Sequence, residues 1–296
     1  FFSTTPDYNF IKRSSVYMHD EFYPSIKENP HFTMQYKNGH PVLISIIYPV
    51  QYNPQTQKLQ YYQEIKVKVE TEPFSTTLYK HNPQIAKSIS AICDNKEMIN
   101  SYSDTPNSPD NYDYLIVTDQ ERLDYFIQFI DFNLTRGLKT KVVTKESFLA
   151  ETDGEDTQSK IRNFIRSEYE DYGISYVLLG GDDEFIPHRG LRSEINDYGY
   201  DFYDEPDIAA DMYYGCLDGT WQVPGSQYYG EPGSEDLLFE VFVSRFAIET
   251  QDEFDNLFNK TVAYSNSPVN ESITNNLLIG EHLWGAPEFP TESYGG

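Results

Sequence analysis

The chain has 296 residues, of which 39% are hydrophobic and 16% aromatic, and its formal net charge is −25. This length and apolar content suffice for two domains with a sizeable core, and no apolar run is long enough to predict a membrane span. The strong acidity excludes nucleic acid as a partner, because binding to phosphates requires a basic surface. It favours a cationic substrate, bound cations or solubility outside the cell.

The acidic residues are concentrated in the second part of the chain. Residues 1–105 hold ten Lys or Arg and ten Asp or Glu, whereas residues 106–296 hold the other 12 basic and 37 acidic residues. The stretch 101–111 contains Pro106 and Pro109, which predicts a linker at this boundary. We therefore predict one domain at 1–105 and another at 106–296. Both ends of the sequence suggest a piece of a longer protein.

The first domain is predicted to be a small β-rich unit. Residues 41–48 form an apolar run typical of a strand, and residues 53–56 predict a turn. Residues 59–70 alternate between apolar and polar side chains, which is typical of a half-buried antiparallel strand. Residues 85–99 predict a helical connector.

The second domain alternates strands with helices, which predicts a parallel sheet covered by helices on both faces. A capping box at 118–121 predicts a helix whose buried face carries Leu123, Phe126, Ile127, Ile130 and Leu134. Gly173 predicts the end of a second helix, and a second capping box at 250–253 precedes a later helix. The predicted strands are 114–117, 141–143, 176–179, 239–243 and 277–279.

Charged residues directly follow the third of these strands. Asp182, Asp183 and Glu184 come after Gly180 and Gly181. Ligands of open α/β sheets bind beyond the carboxyl ends of the strands, so we expect these carboxylates at the working edge. His188 and His282 also follow strands, and each could serve as a base, as a metal ligand or as neither.

A long acidic insertion follows at 181–237, with 14 Asp or Glu against two Arg. Long loops in compact domains are usually functional. Its carboxylates could provide the hard oxygen ligands that Ca²⁺ prefers, although a solvated acidic loop remains the alternative. The aspartates of the insertion that could serve as such ligands are Asp197, Asp201, Asp204, Asp207, Asp211 and Asp218. The predicted metal ligands are Asp182, Asp183, Asp211 and Asp218.

The two cysteines, Cys93 and Cys216, are too few for a disulfide framework, although one bridge between them stays open. Cys216 lacks a histidine nearby in sequence. A partner could still approach it in space, but a buried structural thiol is the favoured interpretation.

Several sequence blocks together resemble the gingipain-type cysteine peptidases, peptidase family C25. The blocks are Tyr-Val-Leu-Leu-Gly-Gly-Asp at 176–182, Ile-Pro at 186–187, Asp-Met-Tyr-Tyr at 211–214 and Glu-Val-Phe-Val-Ser-Arg-Phe at 240–246. Residues 48–54, with the alternating stretch 59–70, resemble the end of the β-rich propeptide of that family.

The resemblance implies a caspase-like α/β domain in a secreted, calcium-binding cysteine endopeptidase that cleaves peptides or proteins after basic residues. It implies a propeptide that keeps a zymogen inactive and a catalytic Cys–His dyad. The family histidine lies in a Gly-His-Gly stretch that this sequence lacks, so we expect the dyad in a remaining C-terminal half and this fragment alone to be inactive. By resemblance only, the edge of the substrate pocket would include Glu281, His282, Trp284 and Glu292.

A second hypothesis belongs to another functional class. The chain could be a non-catalytic relative, in which a caspase-like scaffold serves for calcium binding or adhesion. It would keep the acidic insertion and lack the dyad.

Overall fold

The computed structural model of the chain describes residues 20–24, 32–195, 203–231 and 233–267. The strands are β1 (Phe32–Lys37), β2 (His40–Ser45), β3 (Val50–Asn53), β4 (Lys58–Tyr61), β5 (Tyr114–Thr118), β6 (Thr140–Thr144), β7 (Tyr176–Gly180), β8 (Arg189–Ile195), β9 (Tyr203–Ala210) and β10 (Phe242–Phe246). The α-helices are α1 (Pro83–Ile92), α2 (Ile127–Thr135), α3 (Thr157–Tyr172) and α4 (Gln251–Asn266). Short 3-10 helices lie at Lys96–Ser101, Leu123–Phe126, Lys145–Ser147 and Asp211–Tyr214. Within these described ranges, no helix has the length and apolarity needed to cross a bilayer.

The central sheet has four parallel strands in the order β10-β7-β5-β6. This confirms the α/β class, with four of the five predicted strands lying side by side. The fifth, at 277–279, lies outside the described residues. β10 begins three residues later than predicted, because the amides of Glu240 and Val241 donate to the carbonyl of Gly215 instead of to β7.

Helices cover both faces of this sheet, as predicted. On one face, α3 packs Ile161 and Ile165 against Leu115 of β5 and Val177 of β7. On the other face, Phe129 of α2 and Phe254 of α4 pack with Ile116 and Leu178, the alternate residues of the same two strands. Because both faces are buried, the strands are continuous apolar runs instead of alternating ones.

The start of α2 differs from the prediction. Thr118 ends β5 and its hydroxyl donates to the carbonyl of Gly180, so it caps no helix. The carboxylate of Asp119 instead accepts hydrogen bonds from the amides of Glu121 and Arg122, at 2.9 Å each. The 3-10 turn that follows rotates the helix, and this changes which residues are buried.

Of the five residues predicted to be buried, only Phe126, the last residue of the 3-10 helix, is fully buried. Phe126 and Phe129 are buried, whereas Ile127 and Leu134 are 52% and 63% exposed. The other two helix signals of this domain were correct. Thr250 and Glu253 form the predicted capping box of α4, and Gly173 ends α3 in the left-handed conformation.

The N-terminal unit contains two antiparallel hairpins, β1-β2 and β3-β4. The predicted strand at 59–70 was wrong over most of its length, because pairing stops at Tyr61. Leu59 and Tyr61 are 71% and 67% exposed, so the alternation did not mark a half-buried face. No described element covers these side chains, and alternation alone cannot supply a partner surface.

The N-terminal unit packs against the α/β domain at the amino-terminal edge of the sheet. Leu78 is buried in the same cluster as Ile165 and Tyr169 of α3. The side chain of Asn38 donates to the hydroxyl of Tyr169, and Lys80 donates to the carbonyl of Glu170. Because α3 runs antiparallel to the strands, its last turn lies at the edge where β7 and β10 begin. The described contacts of this unit are therefore remote from the carboxyl edge.

Candidate functional site

The carboxyl edge of the sheet is formed by the turn after β7. The carboxylate of Asp182 accepts a hydrogen bond from the amide of Glu184, and the carbonyl of Asp182 accepts from the amides of Phe185 and Ile186. This turn leaves Asp183 and Glu184 exposed. The sequence therefore placed these acidic residues correctly at the edge.

Arg245 of β10 fixes that turn to the acidic insertion. Its guanidinium donates to both carboxylate oxygens of Asp211 at 2.7 Å, and also to the carbonyls of Gly181 and Ile186. Planar two-pronged pairing of this kind orients both partners. Asp211, which we predicted as a metal ligand, is thus held by an arginine.

The insertion is not one long loop, which corrects the interpretation of 181–237. β8 and β9 form a hairpin within it, and the 3-10 helix Asp211–Tyr214 follows. Arg189 at the start of β8 pairs with both oxygens of Asp156, which caps α3. The hairpin is therefore anchored to the helix at the carboxyl edge.

His188 lies at this edge between two carboxylates. Its Nδ1 is 2.5 Å from Oδ1 of Asp183, and its Nε2 is 3.2 Å from Oδ1 of Asp207. Partial burial lowers the imidazole pKa, but the hydrogen bonds to Asp207 and Asp183 outweigh it and raise the pKa above its usual value. An imidazole oriented in this way can hold a proton at the carboxyl edge.

We predict that the pKa of His188 lies above 6.5 and falls when Asp183 is replaced by Asn. The charged pair of His188 and Asp183 stabilises the folded chain at pH values below the pKa that His188 has in the unfolded chain. This stabilisation is lost as the pH rises through the higher pKa that His188 has in the folded chain. Titration of the imidazole protons by NMR measures both values. Asp131→Asn, on the exposed side of α2, is the control and should leave the titration unchanged. An unshifted midpoint in the Asp183→Asn chain would contradict the pairing.

A second acidic group is buried where the insertion returns to β10. One carboxylate oxygen from each of Asp218, Asp236 and Glu240 lies within 4.8 Å of the others, and we call these residues the carboxylate cluster. Asp236 and Glu240 are each only 6% exposed. Among the described residues, Oδ2 of Asp218 and Oδ2 of Asp236 are buried without a hydrogen-bond partner.

The carboxylate cluster lacks a paired cation in the described part of the chain. Burial raises the pKa of Asp236 to about 7 and that of Glu240 to about 8, and neighbouring carboxylates add to both shifts. Arg162 is close, but its guanidinium donates to the carbonyls of Cys216 and Asp218 instead of to carboxylates. Unpaired buried carboxylates are costly, so the set fits a hard cation that prefers oxygen ligands.

The structure does not bring the four predicted metal ligands together. Asp182 supports the β7 turn, Asp183 contacts His188 and Asp211 pairs with Arg245, so only Asp218 joins the carboxylate cluster. The sequence interpretation missed Asp236 and Glu240. Asp236 lies within the predicted insertion but was not among the aspartates considered as ligands, and Glu240 was assigned to the strand 239–243. The substrate-pocket candidates Glu281, His282, Trp284 and Glu292 lie outside the described residues, as do Asp197 and Asp201.

Cys216 is a buried thiol that forms no disulfide with Cys93. Burial raises its pKa well above the usual value, which disfavours the thiolate that a nucleophile requires. The preference for a structural role over a catalytic one agrees with this environment.

Comparison with known proteins gives matches over nearly the whole chain. The family model described as Peptidase family C25 matches residues 107–293, and the model described as Propeptide_C25 matches residues 3–100. Gingipain R2 of Porphyromonas gingivalis (strain ATCC BAA-308 / W83) is 26% identical over 231 residues, which cover 75% of this chain and 27% of that protein. Gingipain R1 of Porphyromonas gingivalis is 27% identical over 230 residues, covering 75% of this chain and 20% of that protein.

Two solved structures are also similar to the chain. The crystal structure of the Arg specific cysteine proteinase gingipain R is 26% identical, covers 54% of this chain and 30% of its own, and has a TM-score of 0.36. The complex of Porphyromonas gingivalis RgpB pro- and mature domains is 25% identical, covers 51% and 29%, and has a TM-score of 0.35.

Proposed function

Because the chain belongs to peptidase family C25, we propose that it is part of a secreted cysteine endopeptidase that cleaves proteins after basic residues. The match of residues 107–293 to the family carries this proposal. The chain spans 27% and 20% of the length of the two gingipains named above, so the activity of the whole protein is proposed from a part. Residues 1–105 correspond in this proposal to a propeptide that keeps the zymogen inactive.

The charge of the carboxyl edge supports a basic substrate. Asp183 and Glu184 are exposed there, and the second domain carries the entire acidic excess of the chain. An acidic surface raises the local concentration of positively charged peptides. The pocket itself would be completed by Glu281, His282, Trp284 and Glu292, which remain candidates.

The chemistry requires a thiolate that attacks the peptide carbonyl and a histidine that transfers the proton to the leaving amine. We propose that both groups belong to the remaining C-terminal half of the catalytic domain, which would complete the sheet as a partner. The turn fixed by Arg245 would then serve to position substrate instead of reacting with it.

The direct test uses the full-length protein that contains this chain. We expect it to cleave peptides with Arg or Lys before the scissile bond, and a thiol alkylator should abolish the cleavage. Peptides with Gln at that position serve as the control. Absence of turnover with and without calcium would favour the alternative, a non-catalytic caspase-like module for calcium binding or adhesion.

We also propose that the carboxylate cluster binds calcium. Asp218, Asp236 and Glu240 supply hard oxygen ligands, and two of their oxygens are buried without partners among the described residues. The cation would neutralise the carboxylates and fix the insertion to the start of β10. Its role here is structural, since the carboxylate cluster lies away from the carboxyl edge.

We predict that the chain carrying both Asp236→Asn and Glu240→Gln loses measurable calcium binding in titration calorimetry. The amides keep the volume but remove the charge that a divalent ion requires. Asp131→Asn should bind like the wild type, because this residue lies on the exposed side of α2. Calcium binding that survives in the double variant would exclude the carboxylate cluster as the site.

A further inference from the structure

We infer that Lys37 of the N-terminal unit opposes cation binding at the carboxylate cluster, so that calcium and the attachment of this unit weaken each other. This inference rests on the proposed calcium site and adds a means of regulating it. Both partners belong to the same chain, but they lie about 200 residues apart in sequence.

Lys37 brings a buried positive charge to the carboxylate cluster. Only 7% of the residue is exposed, and its Nζ donates to the carbonyl of Phe239 at 3.0 Å while lying 4.4 Å from the centre of the Phe239 ring. Phe239 lies between Asp236 and Glu240 in sequence. Burial lowers the pKa of the Lys37 ammonium below its usual value, and the charges of Glu240 and Asp236 partly offset that shift.

Lys37 nevertheless does not pair directly with a carboxylate. No ion pair within 4.0 Å joins it to an acidic residue in the described ranges, and Oδ2 of Asp218 and Oδ2 of Asp236 remain without a hydrogen-bond partner there. The ammonium therefore acts at a distance as a partial counter-charge. A divalent ion that enters the carboxylate cluster meets repulsion from this ammonium in a region from which water is largely excluded.

The same strand also binds the backbone that carries the carboxylates. Gln35 contacts the backbone of Glu235 and Leu237, and the amide of Asn38 donates to Oε1 of Glu240 at 3.0 Å. A calcium ion that takes Oε1 of Glu240 as a ligand would compete with this amide. Charge repulsion from Lys37 and competition for Glu240 thus act in the same direction.

Thermodynamic linkage makes the effect reciprocal. If attachment of the N-terminal unit lowers the affinity for calcium, then calcium lowers the stability of that attachment by the same factor. Calcium supplied outside the cell would loosen the propeptide-like unit at β1, whereas low calcium would favour the attached state.

The test compares calcium affinity of the wild type with Lys37→Met, which keeps the packing on Phe239 but removes the charge. The titration is performed at pH 8.5, because burial raises the pKa of both Asp236 and Glu240 and protons compete with calcium at lower pH. Titration calorimetry should then show about tenfold tighter binding in Lys37→Met, as expected for removal of one nearby charge. Lys37→Arg, which retains the charge, should stay within about twofold of the wild type.

Lys80→Met is the matched control from the same unit. Lys80 is also partly buried, but it donates to the carbonyl of Glu170 on α3, and the acidic residues that act on it are Glu170 and Asp171 instead of the carboxylate cluster. It should leave calcium affinity within about twofold. An equal gain in both lysine variants would overturn the role of Lys37 and indicate a general effect of net charge.

Hydrogen exchange at the amide of Asn38 provides a second readout that is independent of activity. Saturating calcium should speed exchange of this amide in the wild type, and the acceleration should be smaller in Lys37→Met. Two results would overturn the coupling while leaving the calcium site intact. One is that the wild type binds calcium and Lys37→Met binds it with the same affinity. The other is that calcium slows hydrogen exchange at the amide of Asn38. If neither chain binds calcium, the carboxylate cluster is not a calcium site and the inference falls with it.

Discussion

We expect the free energy of unfolding of the Arg245→Met chain to be about 3 kcal/mol lower than that of the wild type. The substitution leaves Asp211 without its two-pronged partner and removes the donor to the carbonyls of Gly181 and Ile186. Removing one member of a largely buried pair is costly, because the other charge stays behind unpaired. Urea denaturation followed by tryptophan fluorescence measures the difference.

Arg136→Met is the control for this prediction. Arg136 follows α2 and is exposed, and its guanidinium lies 5.4 Å from the centre of the Phe132 ring. Its replacement should change the free energy of unfolding by less than about 0.5 kcal/mol. Equal stability of the two variants would mean that Arg245 does not fix the β7 turn to the insertion.

Replacing Gly39 with alanine should weaken the attachment of the N-terminal unit by about 3 kcal/mol. Asn38 and Gly39 both have positive φ, at 50° and 73°, which is the turn that joins β1 to β2. An alanine Cβ at Gly39 would lie 2.6 Å from the Cα of Tyr79, so backbone must move in addition to the conformational cost. Hydrogen exchange of the β1 amides measures the opening free energy.

Gly137 provides the matched control, because it has a similar φ of 79° but no atom within 4 Å of an added Cβ. Gly137→Ala should therefore cost only the conformational term, about 1 kcal/mol. The difference between the two variants isolates the close approach to Tyr79. Equal costs would show that the hairpin turn does not rest on the segment that follows Thr76.

Local chemistry was sufficient to predict several elements. The Thr250 and Glu253 pair satisfies free amides within four residues, and Gly173 ends α3 because it accepts a left-handed conformation. The apolar runs of β5 and β7 predicted strands buried on both faces. In contrast, the Asn38-Gly39 pair is a strong hairpin signal that the sequence interpretation overlooked.

Other features depended on contacts that no local pattern contains. Thr118 matched a capping box, but its hydroxyl bonds to Gly180 of the neighbouring strand. Apolar and polar side chains alternate along residues 59–70 as in a strand, yet no described element packs against Leu59 or Tyr61. A periodic pattern specifies which side chains share a face, and only the neighbouring elements decide whether that face is buried.

The sequence by itself determined the alternating strand and helix order, the acidic turn after β7 and the resemblance to a peptidase family, because each depends on residues close together in the chain. Only the tertiary structure decided which carboxylates meet. Asp218 and Glu240 are separated by 22 positions and come together with Asp236 where the insertion folds back onto β10. Lys37 approaches them from about 200 residues away, since the proximity of charges is set by packing and not by spacing in sequence.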